Sequence, residues 1–116
     1  MRYSILYEFN NAKAIMIYQR YLADIVSTQI PIGGTVMIHG YTDIIGGEAH
    51  NLELSLARAN NVKTILENAL SKAGRSDVKF EVTGSGEDQS LAPFDNKFPE
   101  ERFYNRTVII DIIRAK

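Results

Sequence analysis

The 116-residue sequence contains no cysteine and no tryptophan, and only three of its residues are proline. Without cysteine the fold cannot rely on disulfide bonds, and a metal site with thiolate ligands is excluded. Neither sign of charge is in excess, because 13 basic and 14 acidic residues leave a formal net charge of −1. A basic surface for nucleic acid or for an anionic membrane is therefore not indicated.

Long apolar runs are also missing from the sequence. No stretch approaches the roughly 18 consecutive apolar residues of a transmembrane helix, and no signal peptide is visible, since Met1 leads almost directly into "RYSILYEF". A chain of this length buries about 65% of its unfolded surface, which permits a core without cross-links. We expect a single domain over residues 1–116.

Apolar periodicity divides the chain into four strands and two helices. Alternation and β-branched residues predict strands over residues 3–9, 35–42, 77–86 and 107–113. Helical spacing predicts amphipathic helices over residues 12–29 and 49–72, the second closed by Gly74. The first helix is marked by Ile15, Tyr18, Leu22 and Ile25. The order β-α-β-α-β-β predicts an α+β fold, an α/β two-layer sandwich whose mixed sheet has both helices packed on one face.

Residues 87–103 contain two prolines and show no clear period. They predict a long loop, with one short helical turn at "PEER". Loops of this length in a small domain are often functional, and a surface connection without a role is the equal alternative.

The second predicted helix carries an arginine inside its apolar face. Asn51, Ser55 and Arg58 follow one another at i, i+4 and i+7, within the apolar stripe. An unpaired buried guanidinium costs several kcal/mol, so Arg58 needs an anion or a polar opening. Asp43, where the second strand ends, is the nearest anion in sequence. The apolar members of the stripe are Leu52, Leu54, Ala59, Val62, Ile65, Leu66, Ala69 and Leu70.

Two interpretations of these polar residues remain open. In one, Asp43 and Arg58 form a buried ion pair that only fixes the loop. In the other, they line an open pocket for a small zwitterion, in which Arg58 binds a carboxylate and Asp43 an ammonium group. Asn51, Ser55 and the first-turn N–H groups of the helix would add hydrogen bonds there.

Motifs around these residues carry a resemblance to a known family. They are "EFNNAKAI" at residues 8–15, "GYTD" at 40–43, "NLELSLARANNV" at 51–62 and "RFYNRTV" at 102–108. In this combination and spacing the chain resembles the OmpA-like domain family of peptidoglycan-binding modules, whose pattern is roughly G-H-T-D, N-x-x-L-S-x-x-R-A-x-x-V and N-R-R-V. The resemblance covers essentially the whole chain.

The resemblance implies non-covalent anchoring to the cell wall through the diaminopimelate residue of the peptide stem. It implies that Asp43 binds the ammonium group of that residue and Arg58 its carboxylate. Asn51, Asn10 and Arg106 match further family positions that line the ligand pocket or lie near it. The resemblance further implies that the domain is part of an outer-membrane protein or lipoprotein of a Gram-negative cell envelope, on the periplasmic face of the outer membrane.

Three positions depart from the family pattern. Tyr41 replaces the usual histidine, Thr107 replaces the second arginine of the late motif, and Glu8 stands where aspartate is common. None of these changes removes Asp43 or Arg58, so we expect binding to be retained.

Other functions find less support in the sequence. The set His39, Asp43, Glu48 and His50 lacks the spacing of a known metal site, and we expect neither a metal nor a cofactor. No paired carboxylates or zinc triad indicate a wall hydrolase, so we expect no enzyme. The alternative is a structural or oligomerisation domain of the same fold without wall binding, for which a homodimer is the expected state. The tyrosines at positions 3, 7, 18 and 21 are interpreted as core and rim packing rather than a platform for sugars, and a division of Tyr7 and Phe9 between the two roles stays open.

Overall fold

The computed structural model describes residues 1–7, 16–42, 48–84 and 107–115. Four strands lie in these ranges, namely β1 (Arg2–Leu6), β2 (Thr35–Gly40), β3 (Lys79–Gly84) and β4 (Thr107–Ile113). Helix α1 (Met16–Tyr21) continues into a π-helical turn at Leu22–Val26 and a 3₁₀ turn at Ser27–Gln29, and α2 spans Glu48–Lys72. Both helices and all four strands agree with the sequence-based boundaries to within a few residues wherever the chain is described.

The four strands form one sheet in the order β1-β4-β2-β3. Strand β4 runs antiparallel to both of its neighbours, whereas β2 and β3 pair in parallel. The last strand of the chain therefore inserts into the middle of the sheet, between the first two. This arrangement confirms the predicted α+β class with a mixed sheet.

The core lies between one face of this sheet and the helices. Burial alternates along β2, where Val36 and Ile38 are buried, and α2 contributes Val62, Leu66 and Leu70 at helical spacing. Each such side chain stabilises the fold by about 1.5–3 kcal/mol relative to exposure. Within the described ranges the buried apolar residues are Ile5, Tyr7, Leu22, Val26, Ile30, Val36, Ile38, Ala59, Val62, Leu66, Leu70, Val108, Ile110 and Ile112.

Two residues predicted to face the core are exposed. Ile25 is 50% exposed because the wider π-helical turn shifts the helix phase, so that Val26 follows Leu22 into the core instead. Leu52 is 52% exposed. Leu56, one helical turn later in α2, is also exposed, at 44%.

Helix α2 ends as Gly74 predicts. Gly74 has a φ of 73°, its N–H bonds to the carbonyl of Ser71 at 3.0 Å, and the N–H of Arg75 bonds to the carbonyl of Leu70 at 2.8 Å. This is the Schellman arrangement, which satisfies carbonyls that the helix itself leaves unpaired. The chain then turns back directly toward the start of β3.

The ion pair between Arg75 and Asp77 connects the turn that precedes β2 with the turn that precedes β3. Arg75 binds both carboxylate oxygens of Asp77, at 3.1 and 2.8 Å, and donates from Nη1 to the carbonyl of Ile30 at 2.8 Å. Asp77 also accepts a hydrogen bond of 2.7 Å from the N–H of Gly33. The Arg75 guanidinium and then this N–H hold the pKa of Asp77 well below its ordinary value.

Exchange of Asp77 for asparagine is expected to destabilise the domain at neutral pH but not in acid. Because the folded-state pKa is depressed, the carboxylate stabilises the fold above its ordinary pKa of 3.8 and loses that effect as the pH falls further. Urea unfolding of both proteins at several pH values measures the difference, which should shrink below about pH 4. Asp24→Asn, on the exposed side of the first helical segment, is the matched control. A difference that does not change with pH would contradict the assignment.

Candidate functional site

The amino-terminal half of α2 lies directly on the ends of β2 and β3. A Cβ atom at Gly40 would overlap the main-chain carbonyl of Ser55, and one at Gly84 would lie 2.8 Å from the main-chain nitrogen of Leu56. Helix and sheet approach this closely because both strands end in glycine. The contact brings the polar residues of the helix, including Arg58, over the strand ends.

Arg58 is completely buried at this position. Its Nη1 donates a hydrogen bond of 3.0 Å to the carbonyl of Tyr41, the residue that follows β2. Its guanidinium carbon lies 5.2 Å from the centroid of the Tyr7 ring, which follows β1. A cation over an aromatic face at this distance is attracted by the electrons of the ring. Two strand ends therefore hold the guanidinium in place.

Asn51 and Ser55 are buried beside Arg58 on the same face of α2, with exposed fractions of 2% and 0%. The Ser55 hydroxyl donates to the carbonyl of Leu52 at 2.8 Å, three residues earlier in the helix. The stripe that the sequence predicts is therefore continuous with the core but polar at this end. Buried polar groups cost free energy unless they are hydrogen bonded, so their concentration here marks a site with a specific requirement.

Tyr7 joins β1 to this part of α2. Its hydroxyl lies 3.3 Å from the main-chain oxygen of Arg58 and 3.2 Å from Oδ1 of Asn61, both of which can accept its proton. Burial raises the pKa of the Tyr7 hydroxyl, and the Arg58 charge acts in the opposite direction more weakly. The hydroxyl therefore stays protonated and remains a donor.

The sequence-based interpretation of Tyr7 as core packing is incomplete. Alternation along β1 places Tyr7 on the face of Ile5, which the structure confirms, since both are buried. Its contact with Arg58 joins residues 51 positions apart, and spacing along the chain does not reveal such a pair.

Thr42 adds a further polar group next to Tyr41. Its side chain is 1% exposed, and its hydroxyl is the one buried side-chain oxygen or nitrogen in the described part of the chain that lacks a hydrogen-bond partner. Such a group typically costs about 1–3 kcal/mol. Thr42 immediately precedes Asp43 in the sequence.

The structure describes two of the five predicted site residues. Arg58 and Asn51 lie on one buried face of α2, two turns apart. Asp43, Asn10 and Arg106 are outside the described residues, and their roles stay predictions.

Two of the departures from the family pattern are described. Burial raises the pKa of Tyr41, whose carbonyl receives the Arg58 hydrogen bond. The buried Thr107 hydroxyl donates to the carbonyl of Ile5 at 2.9 Å, so this position links β4 to β1. Glu8 lies outside the described residues.

The metal alternative gains no support in the described ranges. His39 lies 3.8 Å from a carboxylate oxygen of Asp111, and no group of three potential metal ligands occurs among the residues with described positions.

None of the helices described has the length and apolar character that a membrane span requires.

Fold and site together define a two-layer α+β domain in which one buried arginine, Arg58, lies among buried polar side chains at the ends of parallel strands. A model of the OmpA family matches residues 9–106, and the chain belongs to this family. Over 91 residues it is 35% identical to outer membrane porin F of Pseudomonas aeruginosa, a match that covers 78% of this chain. The matched region is 24% of the length of that porin.

Solved structures share the fold at low sequence identity. The peptidoglycan-associated lipoprotein from Burkholderia pseudomallei superposes with a TM-score of 0.76 at 22% identity, over 94% of this chain and 88% of that one. The cell wall anchor of the T6SS from Pseudomonas aeruginosa gives a TM-score of 0.67 at 24% identity, over 99% and 81% of the two chains. These similarities agree with the α+β class predicted from the sequence.

Proposed function

We propose that this domain binds peptidoglycan non-covalently, through the diaminopimelate residue of the stem peptide, and so anchors an envelope protein to the cell wall. Membership of the OmpA family supports the proposal, as do structural neighbours described as a peptidoglycan-associated lipoprotein and a cell wall anchor. The observation that carries it is the buried Arg58, which stands at the family's arginine position and is oriented by two strand ends.

In this proposal Arg58 binds the carboxylate at the end of the diaminopimelate side chain, and Asp43 binds the ammonium group on the same carbon. A guanidinium suits the first role because its planar fork matches the two carboxylate oxygens. Asn51 offers an amide beside them, and Asn10 and Arg106 complete the site near the ligand. The arrangement is one for binding a zwitterion rather than for catalysis.

Burial of Arg58 has two consequences for binding. A charge-assisted hydrogen bond is stronger away from water, so each contact that forms there counts for more. The ligand must also displace whatever covers the guanidinium, which slows association and limits affinity. We expect dissociation constants between micromolar and millimolar for one stem peptide, with firm attachment arising from the many sites of the wall.

The proposed setting is the periplasmic face of the outer membrane in a Gram-negative envelope. The relative that supports it is an outer membrane porin, of which this chain matches about a quarter. A domain that binds the wall on one side and belongs to an outer-membrane protein on the other would connect the two layers.

A titration with two synthetic stem peptides tests the proposal, one containing diaminopimelate and the other lysine at the same position. Lysine keeps the ammonium group and lacks the carboxylate that Arg58 would bind. We expect the diaminopimelate peptide to bind at least about ten-fold more tightly, as a charge-assisted hydrogen-bond pair would give. Equal binding of both would make Arg58 a structural residue only. Binding of neither would favour the oligomerisation domain.

A further inference from the structure

We propose that Tyr7 is a positioning residue for Arg58, and that its ring sets the preference of the site for stem peptides that carry the second carboxylate. This inference rests on the proposed function and adds to it a residue outside the family motif around Asp43 and Arg58. It is carried by the contact between the Tyr7 ring and the Arg58 guanidinium in the buried core.

The guanidinium is located by groups from two different strands. The carbonyl of Tyr41, after β2, accepts from Nη1 at 3.0 Å, and the Tyr7 ring, after β1, lies 5.2 Å from the guanidinium carbon. A hydrogen bond fixes the position of one guanidinium nitrogen but still allows rotation about that bond. A ring against the guanidinium restricts this rotation, so the Tyr7 contact contributes to the orientation of Arg58.

The Tyr7 ring is itself held against α2. Its hydroxyl reaches the main-chain oxygen of Arg58 at 3.3 Å and Oδ1 of Asn61 at 3.2 Å, and the residue is 2% exposed. One side chain thus contacts both the main chain of Arg58 and the charged end of its side chain. The ring cannot move away from the guanidinium without also breaking its contact with the helix.

Orientation matters most for the ligand group that needs two hydrogen bonds at once. A carboxylate bound by a fork requires both N–H vectors to be aligned, whereas the ammonium group of the ligand does not bind Arg58. If the ring is lost, the guanidinium has more orientations to give up on binding, which typically weakens affinity about two- to ten-fold. The loss should fall on the diaminopimelate peptide and spare the lysine peptide.

The test compares Tyr7→Leu, Tyr7→Phe and wild type in the titration with both peptides. The measured quantity is the dissociation constant of the lysine peptide divided by that of the diaminopimelate peptide. We expect Tyr7→Leu to lower this ratio about three- to ten-fold. Tyr7→Phe keeps the ring and should retain the ratio within about two-fold, while its thermal stability falls because Asn61 loses a partner. Should Tyr7→Leu fail to fold, Tyr7→Met fills more of the space without a ring.

Tyr3→Leu is the matched control. Tyr3 lies on β1, four residues before Tyr7, packs against the same core and makes its ring contact with Tyr21 at 6.1 Å, away from Arg58. Its exchange should lower stability and leave the ratio unchanged.

Two outcomes would overturn the inference while the proposed function stands. A folded Tyr7→Leu protein with the wild-type ratio would show that the ring does not orient Arg58. An equal loss of affinity for both peptides would show that Tyr7 only stabilises the fold. A wild-type protein that does not discriminate between the peptides would instead contradict the proposed function, and the inference with it, so the two failures are told apart by the wild-type titration alone.

Discussion

Arg58→Lys is expected to lose most retention on isolated peptidoglycan, by at least about ten-fold, although the positive charge remains. A lysine ammonium group cannot reproduce the planar fork that binds two carboxylate oxygens together. Lysine also has a single side-chain nitrogen. That nitrogen cannot both donate to the carbonyl of Tyr41 and reach the ligand. In the wild type the Tyr7 ring contacts the planar guanidinium. In the variant it would contact an ammonium group, whose removal from water costs more free energy.

Lysine is the informative exchange because alanine removes too much. Arg58 is completely buried, so alanine would leave a cavity and an unpaired carbonyl at Tyr41, at a cost of about 3–5 kcal/mol. A domain of this size is stable by only about 5–15 kcal/mol, and loss of binding could then reflect loss of the fold. Lysine fills most of the space and should cost about 1–3 kcal/mol.

Co-sedimentation of the purified domain with peptidoglycan measures the effect, together with circular dichroism to establish that the variant is folded. Arg20→Lys, on the exposed side of α1, is the matched control and should bind as the wild type does. Full retention by a folded Arg58→Lys protein would contradict a carboxylate-binding role and leave Arg58 as a buried structural cation.

Periodicity predicts the elements of this fold well because each element buries one continuous face. Val36 and Ile38 on β2, and Val62 and Leu66 on α2, occupy the positions that alternation and helical spacing assign to them. Gly74 ends its helix in the left-handed conformation that the sequence predicts. These features are determined by residues close together in the sequence, so they can be predicted from it.

The exceptions are features that apolar periodicity does not encode. A π-helical turn, which apolar spacing does not indicate, turns Ile25 outward. Leu52 is exposed, as is Leu56 one turn later, although helical spacing assigns Leu52 to the buried stripe. The insertion of β4 between β1 and β2 likewise follows from pairing between residues about 70 or more positions apart, as in Ile38 with Ile110.

The candidate site divides in the same way. The arginine in the apolar face of α2 could be predicted, since a cation within a core stripe is recognisable from spacing alone. Its burial to 0% exposure and its contacts with Tyr41 and Tyr7 could not, because they arise where three elements meet. Complete burial also makes the two initial interpretations, a structural ion pair and a ligand pocket, compatible with each other. A guanidinium that is held in the core to keep its orientation can serve the fold and a carboxylate ligand at once.

Gly40→Ala is expected to be the most damaging single-methyl change in the described part of the chain. The added Cβ would overlap the carbonyl oxygen of Ser55, a main-chain atom inside a long helix that cannot turn aside as a side chain would. Relief requires α2 to move away from the end of β2, which separates buried surfaces and opens voids along the core. We expect a loss of more than about 4 kcal/mol in the free energy of unfolding, a magnitude that is exceptional for one substitution.

The same movement would reach the candidate site. Arg58 lies one turn along α2 from Ser55, and its hydrogen bond to Tyr41 joins the helix to the residue directly after Gly40. Any fraction of Gly40→Ala that still folds should therefore bind peptidoglycan poorly, because the guanidinium is displaced from the carbonyl that orients it.

Urea unfolding and soluble yield measure the effect, with Gly74→Ala as the control. A Cβ at Gly74 meets no atom within 4 Å, so that change bears only the penalty of its φ of 73°, about 1–2 kcal/mol. The comparison separates steric contact from backbone conformation, since Gly40 has the contact and Gly74 the conformation. An equal loss of stability in both variants would contradict the steric explanation, because glycine at position 40 would then not be required for the close approach of α2 to β2. The placement of Arg58 would in that case depend on other contacts.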